Sequence, residues 1–188
     1  MSEQLIDQIR NIAGDQRRDS FALLAQKILD RRDEIHLIVE TGCYRGNSGD
    51  GESTTIFANL VSEITADMTS IDINSDHVDT ATHRLSPELL KRVTFFVDDS
   101  VHYLSYMQRP IDVLYLDSYD YNAGDPLPCQ MHQLAEFAAA YGKLNKHCLV
   151  LLDDNVEGTG GKTTLAAPFI ESKGFKRIYN GYQILFER

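Results

Sequence analysis

LIVETGCYRGNSGDGEST, residues Leu37 to Thr54, is the stretch from which the rest of the chain is read. Leu37, Ile38 and Val39 form an apolar run that ends in the acid Glu40. Gly42 and Gly46 open a polar, glycine-rich loop, and Ser53-Thr54 then leads into the apolar run Ile56 to Val61. The pattern is strand, tight turn, helix. Glycine lets the backbone approach a ligand closely, and a helix start offers unpaired N–H groups. The same spacing also serves a plain strand-to-helix turn, so its meaning depends on what the later strands carry.

Outward from that stretch, apolar runs alternate with helical periods. Before it, Leu5, Ile6, Ile9 and Ile12, then Phe21, Leu23, Leu24, Ile28 and Leu29, predict two helices broken at Gly14-Asp15. They pack on a sheet or form a partial lid. After it, Met68 to Ile73 reads as a strand carrying Asp72 at its end, followed by a helix from Ser75 to about Leu85 that Pro87 stops. Val93 to Val97 is a third strand, ending at Asp98-Asp99-Ser100, with a short helix over Val101 to Met107. Ile111 to Leu116 is a fourth, ending at Asp117. The polar loop Ser118 to Pro128 leads to a helix over Met131 to Leu144, and Cys148 to Leu152 is a fifth strand ending in Asp153-Asp154-Asn155. A second glycine loop, a helix over Thr163 to Ser172, and two β-like runs, Lys176 to Tyr179 and Tyr182 to Phe186, close the chain. Asn180-Gly181 between those runs signals a hairpin.

Five apolar strands alternating with helices imply an α/β fold with a mainly parallel sheet covered on both faces and an antiparallel C-terminal edge. The 188 residues fit one domain, helical over 1–34 and sheet-based over 35–188. A net charge of −10 argues against a basic phosphate-contacting surface, so no nucleic-acid partner is expected. No apolar run approaches the roughly 20 residues of a membrane helix, and the first ten residues lack a signal-peptide core. Three scattered cysteines, Cys43, Cys129 and Cys148, suggest reduced thiols in a cytoplasmic protein.

Each strand of the expected parallel set ends in an acid: Glu40, Asp72, Asp98-Asp99, Asp117, Asp153-Asp154. In an open α/β sheet these ends form one rim, where ligands bind. One acid there is an ordinary cap or turn residue; the repetition across five strands carries the argument. A carboxylate at the second strand end suits the two ribose hydroxyls of an adenosine, which assigns that task to Asp72. Asp99-Ser100 is placed to meet the adenine amino group.

The segment order resembles that of class I S-adenosylmethionine-dependent methyltransferases, over roughly residues 35–187. Within them it is most similar to the metal-dependent O-methyltransferases of the catechol and antibiotic-sugar type. The carriers are ETGCYRG, SIDIN, VDDS, VLYLDSYDY and LVLLDDNV. The resemblance implies a Rossmann-like doubly wound sheet and a cofactor site made by Glu40, Gly42, Gly46, Asp72, Asp99, Ser100 and Asp117. It also implies Mg²⁺ or Mn²⁺ held by Asp117, Asp154 and Asn155, with Asp153 as an alternative ligand. A hard ion with oxygen donors suits those residue types. The implied reaction is methyl transfer to a hydroxyl of a small molecule, such as a sugar or natural-product intermediate. The reading leaves room for a homo-oligomer.

The chain also departs from that pattern. Catechol-type enzymes carry a lysine base three residues after the fourth-strand acid, where this chain has Asp120; the base is then Asp120 or His132, or the metal suffices. The first loop is longer by NSGDG, and its Asp50, with Glu52, caps the helix or folds over the ligand. Gly158 to Thr163 imitates a phosphate loop, but that motif needs glycine where Val156 stands. Lys162 in that loop is expected either to hold an anionic group of the substrate or to sit on a flexible lid. Two further classes share these features: a nicotinamide-dependent oxidoreductase, which would normally show G-x-G-x-x-G, and a non-catalytic cofactor-binding module.

Overall fold

The computed structural model describes residues 2–46, 52–156, 158 and 161–188. Its helices are α1 (Ser2–Ile12), α2 (Gly14–Asp30), α3 (Ser53–Ile64), α4 (Ser75–Arg84), α5 (Pro87–Leu90), α6 (Ser100–Tyr106), α7 (Leu127–Ala140) and α8 (Thr163–Ser172). Its strands are β1 (Leu37–Thr41), β2 (Asp67–Asp72), β3 (Val93–Val97), β4 (Ile111–Leu116), β5 (Leu144–Leu152), β6 (Lys176–Asn180) and β7 (Ile184–Glu187). They form one sheet in the order β3-β2-β1-β4-β5-β7-β6, parallel except for β7, which runs antiparallel to both β5 and β6.

β1 and β4 are buried along their whole lengths, as expected for Val/Ile/Leu-rich strands with helices on both faces. Alternate residues feed two cores. One face places Ile38, Val113, Tyr115 and Leu151 against α1, α2 and α3, with Phe21, Leu24, Ile28 and Phe57 fully buried there. The other face places Val39, Leu114, Leu116 and Val150 against α6, α7 and α8 around Phe137. Because the five strands β1 to β5 run parallel, their carboxyl ends share one rim.

Some boundaries differ from the sequence reading. α7 starts at Leu127, one turn earlier, with Pro126 and Pro128 at the helix start, where a missing N–H costs nothing. β5 starts at Leu144, because exposed Asn145, Lys146 and His147 extend the strand despite their polarity. Pro87 begins a short helix, with the Ser86 side chain accepting from the Leu89 N–H. The C-terminal hairpin turns through Gly181, Tyr182 and Gln183, since the last two are drawn into the interior described below.

Candidate functional site

Two neighbouring cavities open at the rim. One, of about 250 Å³, is lined in part by Arg17, Gly42, Cys43, Asp72, Asp117 and Asp154. The other, of about 200 Å³, is lined in part by Asp72, Ile73, Asp99, Ser100, Ser118 and His132. Asp72, Ile73 and Ser118 belong to both.

The β1 end is built for close approach. Gly42 sits at φ +80, and a Cβ there would lie 2.5 Å from the Asp117 carbonyl oxygen, so only glycine lets the turn lie against the end of β4. Asp72 accepts from the Cys43 N–H at 3.2 Å and the Asn74 N–H at 2.9 Å, and its Oδ1 lies 3.2 Å from His77 Nδ1. This fixes the carboxylate at the edge shared by the two cavities. Asp99 caps α6 by accepting from the His102 N–H at 2.8 Å. Ser100 Oγ lies 3.0 Å from His132 Nε2. A hydrogen bond with Glu136 raises the pKa of that histidine.

Glu40 does not reach either cavity. It is fully buried and accepts three hydroxyls, from Ser53 at 2.6 Å, Thr54 at 2.8 Å and Ser70 at 2.6 Å. It therefore ties the start of α3 to β1 and β2. Burial pushes its carboxyl from an ordinary 4.5 up to about 7.

The ends of β4 and β5 carry an ion-pair cluster. Lys162 Nζ lies 2.6 Å from Asp117 Oδ1 and 2.9 Å from Asp154 Oδ2, and its side chain is only 2% exposed. Burial works against this ammonium, but Asp117, then Asp154 and Asp153, outweigh it and raise its pKa. Burial likewise opposes charge on Asp117, yet Lys162 holds that carboxyl below its usual range. Asp153, fully buried, takes the Arg17 guanidinium in a fork at 2.9 Å and 3.2 Å. Burial, with Asp117 nearby, pushes Asp153 up to about 8 against the pull of Arg17. The Tyr115 hydroxyl lies 2.8 Å from Asp153 Oδ2 and 3.1 Å from Asp117 Oδ2, while its ring packs between Phe21 and Phe57. Tyr182 hydrogen-bonds Asp154, and Gln183 bridges Tyr115 to Ser20 of α2.

The sequence-predicted residues therefore separate into groups. Gly42, Asp72, Asp99, Ser100 and Asp117 line the cavities. Gly46 lies beside α4, where an added Cβ would meet Thr80 at 3.3 Å, and does not line either cavity. Asp120 stands at the rim, 77% exposed, with Arg45 at 2.8 Å. His132 lines the second cavity, whose wall includes neither Asp117 nor Asp154. Asn155 turns away: its Oδ1 accepts from the Thr163 hydroxyl at 2.8 Å and its Nδ2 donates to the Gly181 carbonyl at 2.8 Å. Lys162, expected either to hold a substrate anion or to sit on a flexible lid, is instead buried between Asp117 and Asp154. The Glu52 side chain does not cap α3; it lines the first cavity and pairs with Arg84 at 2.7 Å. Asp50 lies outside the described residues. Sequence reasoning missed Arg17, Tyr182 and Gln183; nothing in a helical period or a hairpin signal marks residues that fold back onto strands far away in the chain.

A family model described as a methyltransferase domain matches residues 39–155. The chain belongs to this family. Its family and fold are those of the class I S-adenosylmethionine-dependent methyltransferases, which sets aside the oxidoreductase. No curated protein matches the methyltransferase. Among solved structures, the rRNA methylase of Streptococcus thermophilus superposes with a TM-score of 0.57 at 12% identity, over 93% of this chain and 97% of that one. MycE, from the mycinamycin biosynthetic pathway and solved with Mg and S-adenosylhomocysteine, gives 0.60 at 16% identity, over 87% of this chain and 48% of MycE. NSun6 from Pyrococcus horikoshii gives 0.63 at 14% identity, over 86% and 48%. At these identities the likeness is one of fold.

The comparison corrects one expectation. The net charge of −10 was read as excluding nucleic acid, yet rRNA methylases use this same fold. Net charge sums over the whole surface and does not report the local field at one rim, so RNA stays among the acceptor classes.

The cofactor and the metal fare differently against the residues present. The Gly42 turn and the Asp72 carboxylate stand at the edge of the cavities, and residues of these types there fit S-adenosylmethionine. The metal set does not fit its ion. Its third ligand, Asn155, is committed elsewhere, and the point between Asp117 and Asp154 is held by an ammonium. Among the described residues no group of three His, Cys, Asp or Glu side chains is arranged to hold a metal. No helix of the described residues is long and apolar enough to cross a membrane.

Proposed function

We propose that this methyltransferase is an O-methyltransferase, moving the methyl group to a hydroxyl of a small molecule that enters the first cavity. The observation that carries the reading is the meeting of Asp117, Asp120 and Asp154 with Gly42, Cys43 and Asp72 around one opening. The cofactor, when bound, supplies a methyl group activated on a sulfonium. Gly42 and Cys43 would hold its amino-acid end, Asp72 its ribose, and Asp99 and Ser100 its adenine. Asp117, paired behind with Lys162, presents a fixed negative charge to the reacting centre. An acceptor hydroxyl pointed at this wall meets hydrogen-bond acceptors, and Asp120 at the solvent edge would take its proton as the new O–C bond forms, the methyl–sulfur bond breaking and its electron pair leaving with the thioether, S-adenosylhomocysteine. Catalysis of this kind rests mainly on positioning and on charge already in place.

The test supplies labelled S-adenosylmethionine with sugars, polyphenols and RNA as acceptors. The expected result is a base-stable methyl ether on a hydroxylated small molecule. Asp120→Asn should lower kcat with S-adenosylhomocysteine affinity unchanged, whereas Asp72→Ala should weaken that affinity by about 1.5–3 kcal/mol through lost charge-assisted hydrogen bonds. Label appearing only on RNA, or on a base nitrogen or carbon, would overturn the assignment.

A further inference from the structure

The carboxylates of Asp117 and Asp154 come from neighbouring strand ends and converge on Lys162. These carboxylates are partly buried, 26% and 14% exposed, so they repel each other with reduced screening and a cation between them relieves that repulsion. In this chain the cation is covalently tethered. The segment from Asp154 closes on itself, with the Lys162 N–H donating to the Asp154 carbonyl at 2.9 Å. Gly161, at φ +53, passes so near that an added Cβ would lie 1.8 Å from that carbonyl oxygen.

Two independent features show that the lysine is there for the acids. Lys162 is the residue before the first turn of α8, where the helix dipole disfavours a positive charge. Among the described residues it is also the only lysine in the group of largest fully buried side chains. The charge count points the same way. Asp153, raised to about 8, holds its proton at neutral pH, so the two negative charges of Asp117 and Asp154 meet the two positive ones of Lys162 and Arg17 and the set is neutral. A divalent ion added to that neutral set would leave +2 and oppose a sulfonium cofactor.

We infer that Lys162 is a built-in replacement for a divalent cation. Its ammonium holds Asp117 and Asp154 at the cavity wall, so the protein needs no metal while the lysine is present, and removing it leaves carboxylates that take up a divalent ion. Only the link to turnover rests on the proposed O-methyl transfer; the cation site itself does not.

Mn²⁺ titration followed by electron paramagnetic resonance tests this on chelator-treated full-length protein. Wild type should bind no stoichiometric Mn²⁺ at millimolar concentration, and its Tm should be the same with and without chelator. Lys162→Ala, and Lys162→Met, which keeps the aliphatic volume, should each bind one Mn²⁺ per chain. The additional change Asp117→Asn should abolish that binding. One Mn²⁺ per wild-type chain would overturn the inference, as would folded lysine variants, judged by circular dichroism, that bind none. Should both lysine variants fail to fold, the wild-type titration and chelator comparison decide alone. Calorimetry with S-adenosylhomocysteine on wild type runs alongside: absence of binding there would strike the cofactor reading while leaving the Mn²⁺ result to stand or fall separately.

Discussion

Glu40 and Asp72 sit at adjacent strand ends and do opposite work. Asp72 keeps a face on both cavities, while Glu40 is sealed among three hydroxyls and stabilises the turn that shapes them. The sequence offers the same signal for both, an acid closing an apolar strand; what separates them is whether hydroxyls from Ser53, Thr54 and Ser70 surround the carboxylate, which only the fold decides. Burial raises the Glu40 pKa to about 7, above its unfolded value, so the folded state prefers the proton. Stability from this group is then fully present below about pH 4.5 and is lost as pH rises through 7. The difference is worth roughly 3 kcal/mol. Gln mimics the protonated acid, donating one hydrogen bond and accepting the others. Urea unfolding at several pH values should therefore show wild type losing stability relative to Glu40→Gln between pH 4.5 and 7. Parallel curves for the two proteins would mean that the hydroxyl cage keeps Glu40 ionised throughout.

At the scale of elements, the alternation of strand and helix was legible because parallel strands buried on both faces must be apolar end to end, and the rim acids followed from that order. The tyrosine hydroxyls, the Arg17 fork and the inward turn of Lys162 were not legible. Each depends on side chains from α2, on the segment joining β5 to α8, or on the β6–β7 turn reaching across the rim, and a motif read along the chain carries no information about such reach. The Asp-Asn pair after β5 illustrates the limit: the residue types suit a metal, but Asp154 takes φ +56 and Asn155 is turned onto Thr163 and Gly181. Gly161 is the pivot of that segment. Gly161→Ala forces a Cβ into the Asp154 carbonyl at a backbone angle that side chains rarely adopt, at a cost of about 1–3 kcal/mol. Its Tm should fall by roughly 2–4 °C for each kcal/mol, read by scanning calorimetry. An unchanged Tm would mean that the loop relaxes freely and that Lys162 is not held by it.

Over the whole molecule, the two N-terminal helices are part of the sheet's core and part of its site. The sequence left open whether they pack or form a lid. Ile9, Phe21, Leu24 and Ile28 are buried to 1% exposure or less, and Ser20 and Arg17 of α2 anchor Gln183 and Asp153 in the C-terminal part of the chain. Fully burying an aliphatic or aromatic side chain contributes about 1.5–3 kcal/mol, so these four alone match much of the ~5–15 kcal/mol net stability of a typical domain. We therefore propose that residues 1–188 fold as one cooperative unit. Circular dichroism and tyrosine fluorescence should report a single coincident urea transition for the full chain. A chain of residues 35–188 should fail to reach a cooperative fold and should not bind S-adenosylhomocysteine, because it exposes the Phe57–Tyr115 face and leaves Asp153 without its guanidinium. A cooperatively folding, cofactor-binding 35–188 fragment would instead make the first helices a detachable cover, and the Arg17–Asp153 pair a closing contact rather than a foundation of the site.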